Sequence, residues 1–323
     1  MWKFDILGGD FEQTTLQMKP DCEGEVVCTL VRAKTNKGQP SILYIHGFND
    51  YFFQREMGER FTQQGYNFYA LDLRKCGRSI RPWQRRCNMH NISEYYEDID
   101  AATELIKKET NENLIFLGHS TGGLILSLYL NSRSENIAKA LILNSPFLEM
   151  NVKNSLKKFI PYVSLVAGMF PNLRINKGLS LNYGYSIAKR IYGEWEFNEE
   201  WKPLAVSSVT AGWLRAIHKA HRQIRRGLDL KCPVLVMCSD KSYKNREWSE
   251  QFAKADAVLD VNDILKYSRH LGENVHYAVI DDGLHDLILS ASAVRNRVYG
   301  EMFVFLEKQV EFSQKTSLSV VDN

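Results

Sequence analysis

The chain has 323 residues, of which 44% are hydrophobic and 24% charged, and its formal net charge is +3. The apolar fraction excludes a disordered or collagen-like chain, because it is enough to bury a sizeable core. The near balance of charge disfavours a nucleic-acid binder, since such domains concentrate basic residues on one face. The length fits one large α/β domain with an insertion at least as well as two separate domains.

The N-terminus and the cysteines bear on the compartment of the protein. Residues 1–8 lack the basic and apolar regions of a signal peptide, and apolar stretches such as 163–170 are too short to cross a bilayer. The six cysteines include no C-x-x-C pair, so the sequence indicates neither a metal site nor a disulfide framework. We therefore expect an unprocessed cytoplasmic protein with reduced thiols.

The chain begins with a pattern typical of an antiparallel hairpin. Apolar and polar residues alternate over 14–18 and 25–31, with Gly24 between them, which predicts two strands at a sheet edge. Short runs that are apolar on both faces follow, as buried parallel strands require. These runs are 41–45, 67–73, 114–117, 140–144, 234–238 and 276–280.

Helical patterns lie between these strands. Over 92–108 the apolar residues recur at steps of three and four, and Asn91, three residues before Glu94, resembles the start of a capping box. Alternating strands and helices predict a mostly parallel, doubly wound sheet with helices on both faces. The predicted fold class is α/β.

The alternation breaks over 147–209, a segment rich in aromatic residues that has no clear strand. Ordinary surface helices explain this composition, and so does a helical lid at the carboxyl end of the sheet, where ligands bind in open α/β folds. We predict the lid. The core then comprises 1–146 and 210–312, and 313–323 forms a C-terminal tail.

The region 147–227 carries 13 basic residues and only 5 acidic ones. A solvated helix face accounts for such an excess. Attraction to an anionic substrate or to a membrane surface accounts for it as well. From the second interpretation we expect transient membrane-surface contact through the basic lid.

One motif in the sequence supplies a candidate nucleophile. Gly118-His119-Ser120-Thr121-Gly122-Gly123 lies between the predicted strand 114–117 and an apolar helix, 124–130. This is G-x-S-x-G in a strand, turn and helix context, where the turn exposes the serine hydroxyl and the glycines relieve crowding. The helix N-terminus favours developing negative charge. We predict that Ser120 is a nucleophile rather than a bystander in a glycine-rich turn.

The segment His46-Gly47-Phe48 follows the predicted strand 41–45. Acyl transfer needs two N–H donors directed at the tetrahedral oxyanion, and a glycine-containing turn after an early strand can supply one of them. The predicted pair is the backbone N–H of Phe48 and that of Thr121. A plain turn with a partly buried histidine is the alternative.

These segments resemble α/β-hydrolases. The His46-Gly47 turn, the segment 72–79 (DLRKCGRS) and the serine motif occur in the order seen in that family, most like the branch of monoacylglycerol lipases, lysophospholipases and serine aminopeptidases. The similarity covers 41–306 apart from the lid. One departure is Lys75-Cys76, where relatives commonly have Gly-His. The resemblance implies an α/β-hydrolase fold and a triad in the order nucleophile, acid, histidine.

His285 follows the last predicted strand, so we predict that it is the base. Asp256 and Asp240 compete as the acid, with Asp260 a remote third. One helix, one strand and two loops between acid and base predict a separation of roughly 28 residues. Asp256 lies 29 residues before His285, whereas Asp240 lies 45 before it, and we therefore favour Asp256.

The predicted activity is hydrolysis of a small-molecule carboxylic ester with a small to medium acyl group, through an acyl-enzyme and with no metal or organic cofactor. Monoacylglycerol or lysophospholipid is the substrate that the resemblance implies. Four residues are candidates for substrate binding: His119, Phe159, Phe170 and Trp195. Two alternatives stay open. An aminopeptidase or amidase would need an acid to bind the substrate amine, which Glu194, Glu196, Glu199 or Glu200 could supply. The second alternative is a binding protein with this fold that does not turn over a substrate.

Overall fold

The computed structural model describes residues 1–35, 39–110, 114–152, 154–157, 159–175, 181–205 and 208–321. The strands within these residues are β1 Lys3–Phe4, β2 Glu12–Asp21, β3 Gly24–Ala33, β4 Gln39–Ile45, β5 Tyr66–Asp72, β6 Leu114–His119, β7 Ala138–Asn144, β8 Arg174–Ile175, β9 Val209–Thr210, β10 Val234–Ser239 and β11 Val275–Ile280. Nine of them form one sheet in the order β1-β2-β3-β5-β4-β6-β7-β10-β11, and β8 pairs with β9 in a separate two-stranded sheet.

The large sheet is antiparallel at one edge and parallel over the rest. Strands β1, β2, β3 and β5 pair antiparallel in succession, which includes the predicted hairpin. From β5 through β4, β6, β7, β10 and β11 every pairing is parallel. The carboxyl ends of these parallel strands therefore lie along one edge, where loops from distant parts of the sequence meet.

Nine helices connect or follow these strands within the described residues. They are α1 Arg55–Gln63, α2 Glu94–Thr110, α3 Thr121–Asn131, α4 Asn154–Lys157, α5 Ile160–Ala167, α6 Leu181–Ile187, α7 Ala211–Arg226, α8 Val261–Ser268 and α9 Ser292–Val321. The start of α2 matches the predicted capping box, because the Glu94 side chain accepts a hydrogen bond from the Asn91 N–H at 2.8 Å.

Alternation along the strands divides the apolar core into two layers. In β4, Leu43 and Ile45 belong to one layer together with residues of α2, α3 and α7. Ile42 and Tyr44 belong to the other, together with residues of α1 and α9. Successive side chains of a strand point to opposite faces, so a strand that is apolar at every position needs helices on both faces.

The segment 147–209 contributes no strand to the large sheet among its described residues, and it contains α4, α5 and α6. The expectation that it has no strand is wrong in one detail, because Arg174 and Ile175 pair antiparallel with Thr210 and Val209. Two-residue strands carry too few residues to show an alternating pattern, which explains why the sequence did not predict them.

The predicted C-terminal tail, 313–323, begins within the last helix. This helix, α9, continues across position 312 and reaches Val321. Among the described residues, no helix combines the length and the apolar character needed to span a bilayer.

Candidate active site

The site is built around a sharp turn between β6 and α3. Ser120 adopts φ 50° and ψ −114°, a conformation that L-residues rarely occupy. A Cβ atom at Gly122 would lie 2.3 Å from the carbonyl oxygen of Ile45, and one at Gly118 would lie 2.8 Å from the Cα atom of Gly123. Only glycine fits at both positions, so the glycines of the motif allow the close approach that holds Ser120 in its strained turn.

His285 and Asp256 join Ser120 in one hydrogen-bonded chain. The Nε2 atom of His285 lies 3.0 Å from the Ser120 Oγ, and its Nδ1 lies 2.9 Å from the Asp256 Oδ2. Because a carboxylate oxygen only accepts, the Nδ1–H donates to Asp256, which leaves Nε2 to accept the serine proton. All three side chains are buried.

Backbone groups hold the Asp256 carboxylate in place. Its Oδ1 accepts hydrogen bonds from the N–H of Val258 at 2.8 Å and from that of Leu259 at 2.7 Å, while Oδ2 faces the histidine. Beyond the end of β10, Ser242 and Asp256 pair in an isolated parallel β-bridge. Residues 243–255 therefore form an excursion before the acid.

The other two candidates for the acid, Asp240 and Asp260, form contacts with residues other than His285. The Asp240 carboxylate accepts from the Asp282 N–H at 3.0 Å and forms an ion pair with Lys241 at 3.2 Å. Asp260 caps α8 by accepting from the Asn262 N–H at 3.0 Å. Of the three aspartates, the structure brings Asp256 to His285.

His46 stabilises the turn that carries Phe48. The Leu73 N–H donates to the His46 Nε2 at 3.1 Å, so Nδ1 carries the proton and donates to the carbonyl of Gly47 at 2.7 Å. Burial lowers the pKa of His46, even though nearby carboxylates act in the opposite direction. The imidazole is thus a neutral structural group. Phe48 and Thr121, the predicted oxyanion donors, both line the cavity described next.

A mainly apolar cavity of about 380 Å³ opens on the serine. Its walls come from the β4, β6 and β7 loops, from α7, from the loop that carries Asp256 and from the segment 147–209. The described residues that line it are Phe48, Asp50, His119, Ser120, Thr121, Phe147, Met150, Asn151, Val152, Phe159, Ile160, Ile175, Tyr183, Lys202, Val209, Trp213, Leu214, Val258, Leu259 and His285.

Charged side chains line part of this cavity, and the sequence did not point to them. The Lys202 Nζ lies 2.7 Å from the Asp50 Oδ1, and both side chains are buried. Burial alone would raise the pKa of Asp50, but the Lys202 ammonium and His119 lower it below the ordinary value. Neither residue belongs to a recognisable motif, and they are 152 positions apart in the chain.

His119 lies beside this pair, and its two ring nitrogens have no hydrogen-bond partner among the described residues. Ligand atoms of Asp50, His119 and Asp286 lie within 4.8 Å of one another, close enough to consider a cation site. However, the Lys202 ammonium already neutralises Asp50, and Asn144 and Gln54 donate to Asp286. The ammonium neutralises one carboxylate and the two amides donate hydrogen bonds to the other, so we assign no metal here.

Of the aromatic residues predicted to bind substrate, Phe159 lines the cavity. Phe170 and Trp195 do not appear among its described lining residues. Phe170 is exposed, and the Trp195 ring packs 6.0 Å from that of Phe53 while its Nε1–H donates to the Leu289 carbonyl at 3.0 Å. A tryptophan N–H needs an acceptor when buried, and this acceptor lies on the loop after His285 rather than in the cavity.

The four glutamates considered for amine binding also lie outside the described cavity wall. Glu194, Glu196 and Glu199 form ion pairs with Arg295, Lys189 and Arg190 respectively. Glu200 is exposed. The acidic side chain that does line the cavity, Asp50, is paired with Lys202.

Comparison with known proteins shows which proteins this chain is similar to. The model of a hydrolase family described as "Serine aminopeptidase, S33" matches residues 37–292. The phospholipase YtpA of Bacillus subtilis is 27% identical over 209 residues, which cover 63% of this chain and 76% of that protein. The probable lysophospholipase L2 of Haemophilus influenzae is 22% identical over 271 residues, 79% of each chain.

Among solved structures, a soluble variant of the monoglyceride lipase of Saccharomyces cerevisiae, in complex with a substrate analogue, aligns with a TM-score of 0.66 at 16% identity. The alignment covers 92% of this chain and 96% of that one. The chain therefore belongs to the serine aminopeptidase S33 family of α/β-hydrolases. The predicted fold class is confirmed, as is the resemblance to the lipase and lysophospholipase branch. The predicted enzyme class, a carboxylic-ester hydrolase, agrees with these relatives.

Proposed function

We propose that this protein is a serine hydrolase that cleaves carboxylic esters of medium-chain or longer acyl groups. The observation that supports this most directly is the chain of hydrogen bonds from Ser120 through His285 to Asp256, with distances of 3.0 and 2.9 Å, at the mouth of an apolar cavity. Such a chain activates a hydroxyl that is otherwise a weak nucleophile.

The proposed chemistry assigns each residue one role. The Ser120 Oγ attacks the ester carbonyl carbon while His285 Nε2 takes the hydroxyl proton, which it then donates to the leaving alkoxide. Asp256 holds the Nδ1–H tautomer and stabilises the imidazolium. The N–H groups of Phe48 and Thr121 stabilise the oxyanion. Water then attacks the acyl-enzyme, with His285 as the base, and releases the acid.

The composition of the cavity wall favours an acyl chain. Phe147, Phe159, Ile160, Trp213 and Leu214 line it, and an alkyl chain placed there gains about 0.8 kcal/mol for each buried CH₂ group. A cavity of about 380 Å³ also lies within the usual range for small-molecule sites. Monoacylglycerols and lysophospholipids, as well as simple acyl esters, are compatible with it.

We also propose that the segment 147–209 is a lid that meets aggregated substrate or a phospholipid surface. Near α5 its apolar side chains are exposed, among them Tyr162, Leu165, Met169 and Phe170, and the surrounding region has an excess of basic residues. Exposed apolar side chains in a region with a basic excess favour an anionic lipid surface. Co-flotation with vesicles of anionic, but not zwitterionic, phospholipid is the expected result, and no co-flotation with either would contradict it.

Labelling with a fluorophosphonate tests the catalytic proposal without assuming a substrate. The wild-type protein should gain one adduct by intact mass, and Ser120→Ala should gain none. The same samples, assayed on nitrophenyl esters from acetate to decanoate, should hydrolyse the longer esters more efficiently. A folded wild-type protein that neither reacts with the probe nor cleaves any of these esters would overturn the proposed function.

A further inference from the structure

A second cavity lies beside the catalytic one and differs from it in chemistry. It also has a volume of about 380 Å³, and its described lining residues include three arginines, Arg85, Arg86 and Arg174, with no aspartate or glutamate. The catalytic cavity has mainly apolar walls, whereas this one is mostly polar. The arginines come from two distant parts of the chain, the loop after β5 and strand β8, so the basic cluster exists only in the folded protein.

The two cavities share part of their walls. Phe48, Val209 and Trp213 line both of them, and the rings of Phe48 and Trp213 are 4.8 Å apart. Phe48 also supplies one of the proposed oxyanion donors. A molecule that extends from Ser120 past Phe48 would therefore place its reacting carbonyl in the apolar cavity and its other end near the arginines.

Acidic side chains of the protein neutralise these arginines only in part. The Arg86 Nη2 donates to the Glu200 carbonyl, and its Nε is buried without a partner among the described residues. Arg85 donates to Asn172 and lies 3.8 Å from one oxygen of Glu23, whose other oxygen is 2.6 Å from Lys75. A guanidinium has five N–H donors, more than these contacts use, and arginines that line a polar concavity favour an oxyanion with several acceptor oxygens.

We infer that this arginine cavity binds a phosphate group on the leaving-group side of the ester. This inference rests on the proposed function and makes it more specific: the preferred substrate is an acyl ester whose alcohol carries a phosphate, rather than a neutral acylglycerol. An amphiphilic ester of this kind has one end for each cavity. The apolar walls would reject the phosphate because burying an unpaired charge is costly, which also fixes the orientation of the substrate.

A matched pair of substrates tests the inference. 1-Decanoylglycerol 3-phosphate and 1-decanoylglycerol differ only in the phosphate, so the ratio of their kcat/KM values isolates its contribution. We expect this ratio to favour the phosphate ester in the wild-type protein and to fall about 10-fold to 100-fold in Arg86→Gln and in Arg174→Gln, since hydrogen bonds to charged groups have energies of this size. Arg226→Gln removes the same charge from an exposed site on α7 outside both cavities, and the ratio should not change.

A binding measurement separates failure of this inference from failure of the proposed function. Glycerol 3-phosphate, titrated calorimetrically into Ser120→Ala, should bind without any turnover, and binding should be lost in the added Arg174→Gln variant but kept with Arg226→Gln. Arg174 is exposed, so its loss should not unfold the protein. Unchanged ratios and no glycerol 3-phosphate binding would overturn the inference while ester hydrolysis persists. Inorganic phosphate that binds equally well without inhibiting cleavage of the phosphate ester would also overturn it, in favour of a site for free phosphate.

Discussion

The ammonium group of Lys202 lies 2.7 Å from the carboxylate of Asp50, and the pair joins the segment 147–209 to the loop after β4 at the wall of the catalytic cavity. The exposed fractions of the two side chains are 8% and 1%. A buried ion pair contributes little compared with an apolar pair of similar size, but the loss of one partner leaves an uncompensated charge.

Lys202→Met should therefore destabilise the protein by about 3–5 kcal/mol at pH 7, and the double variant with Asp50→Asn should recover much of this loss. Denaturant titration measures the unfolding free energies of both variants.

The same ion pair makes stability depend on pH. The pKa of Asp50 is lowered in the wild-type protein, so the contribution of this carboxylate to stability is present above about pH 4 and is lost below it. In Lys202→Met burial raises this pKa instead, and the difference from wild type should shrink as the pH falls from 7. A difference that does not depend on pH would contradict this account.

The identity of the catalytic acid can be tested with two conservative variants. Asp256→Asn should lower kcat by roughly 10³-fold to 10⁴-fold, because an asparagine cannot hold the Nδ1–H tautomer of His285. Asp240→Asn, in which the ion pair with Lys241 at the surface is lost, should change kcat less than about 2-fold. Ester hydrolysis and the rate of fluorophosphonate labelling are the measurements. Equal losses in the two variants would exclude the assignment of Asp256.

Substitutions of two aromatic residues should have different consequences. Phe159→Ala enlarges the cavity, so the preference among acyl chains should move toward longer ones while the unfolding free energy changes little. Trp195→Ala removes packing on Phe53 and should cost about 2–4 kcal/mol of unfolding free energy, with chain-length preference unchanged. A nitrophenyl ester series and denaturant titration distinguish these effects. An altered chain preference in the Trp195 variant would show that this residue contacts substrate after all.

The close approach of Gly122 to β4 predicts a large effect from one methyl group. In Gly122→Ala the new Cβ would meet the Ile45 carbonyl oxygen at 2.3 Å, so we expect a loss of about 3 kcal/mol in unfolding free energy. Gly300→Ala on α9 is the matched control, because no atom lies within 4 Å of its Cβ and alanine favours a helix by about 1 kcal/mol. In thermal denaturation, the Tm of Gly122→Ala should lie below that of the wild-type protein and the Tm of Gly300→Ala above it.

Buried His221 should make stability depend on pH. Burial is the main reason why the pKa of His221 is lowered to about 4. The Nε2 atom of the ring lies 2.9 Å from the Phe147 carbonyl oxygen. Since the unfolded pKa is about 6.5, its contribution is complete above that pH and is lost as the pH falls toward 4. Between pH 7 and 4, wild type should lose about 3 kcal/mol more than His221→Gln, which cannot titrate. Parallel pH profiles from chemical denaturation would refute this.

Several features followed from the sequence because short-range patterns determine them. The apolar runs predicted the parallel strands, since a strand buried on both faces can have no polar side. The G-x-S-x-G motif located Ser120, because its turn is possible only with glycines at positions set by the chain itself. The distance to His285 favoured Asp256, because one helix and one strand occupy a nearly constant length of chain.

Only the tertiary structure decided which side chains share a cavity. Asp50 meets Lys202, and Arg86 lies in the same cavity as Arg174, through loops that converge at the carboxyl edge of the sheet; no local pattern encodes these contacts. The sequence predicts Trp195 on the cavity wall, but its ring packs on Phe53 and its N–H donates to the Leu289 carbonyl. Residue type determines what a side chain can bind, whereas the packing of distant segments determines which partner it reaches.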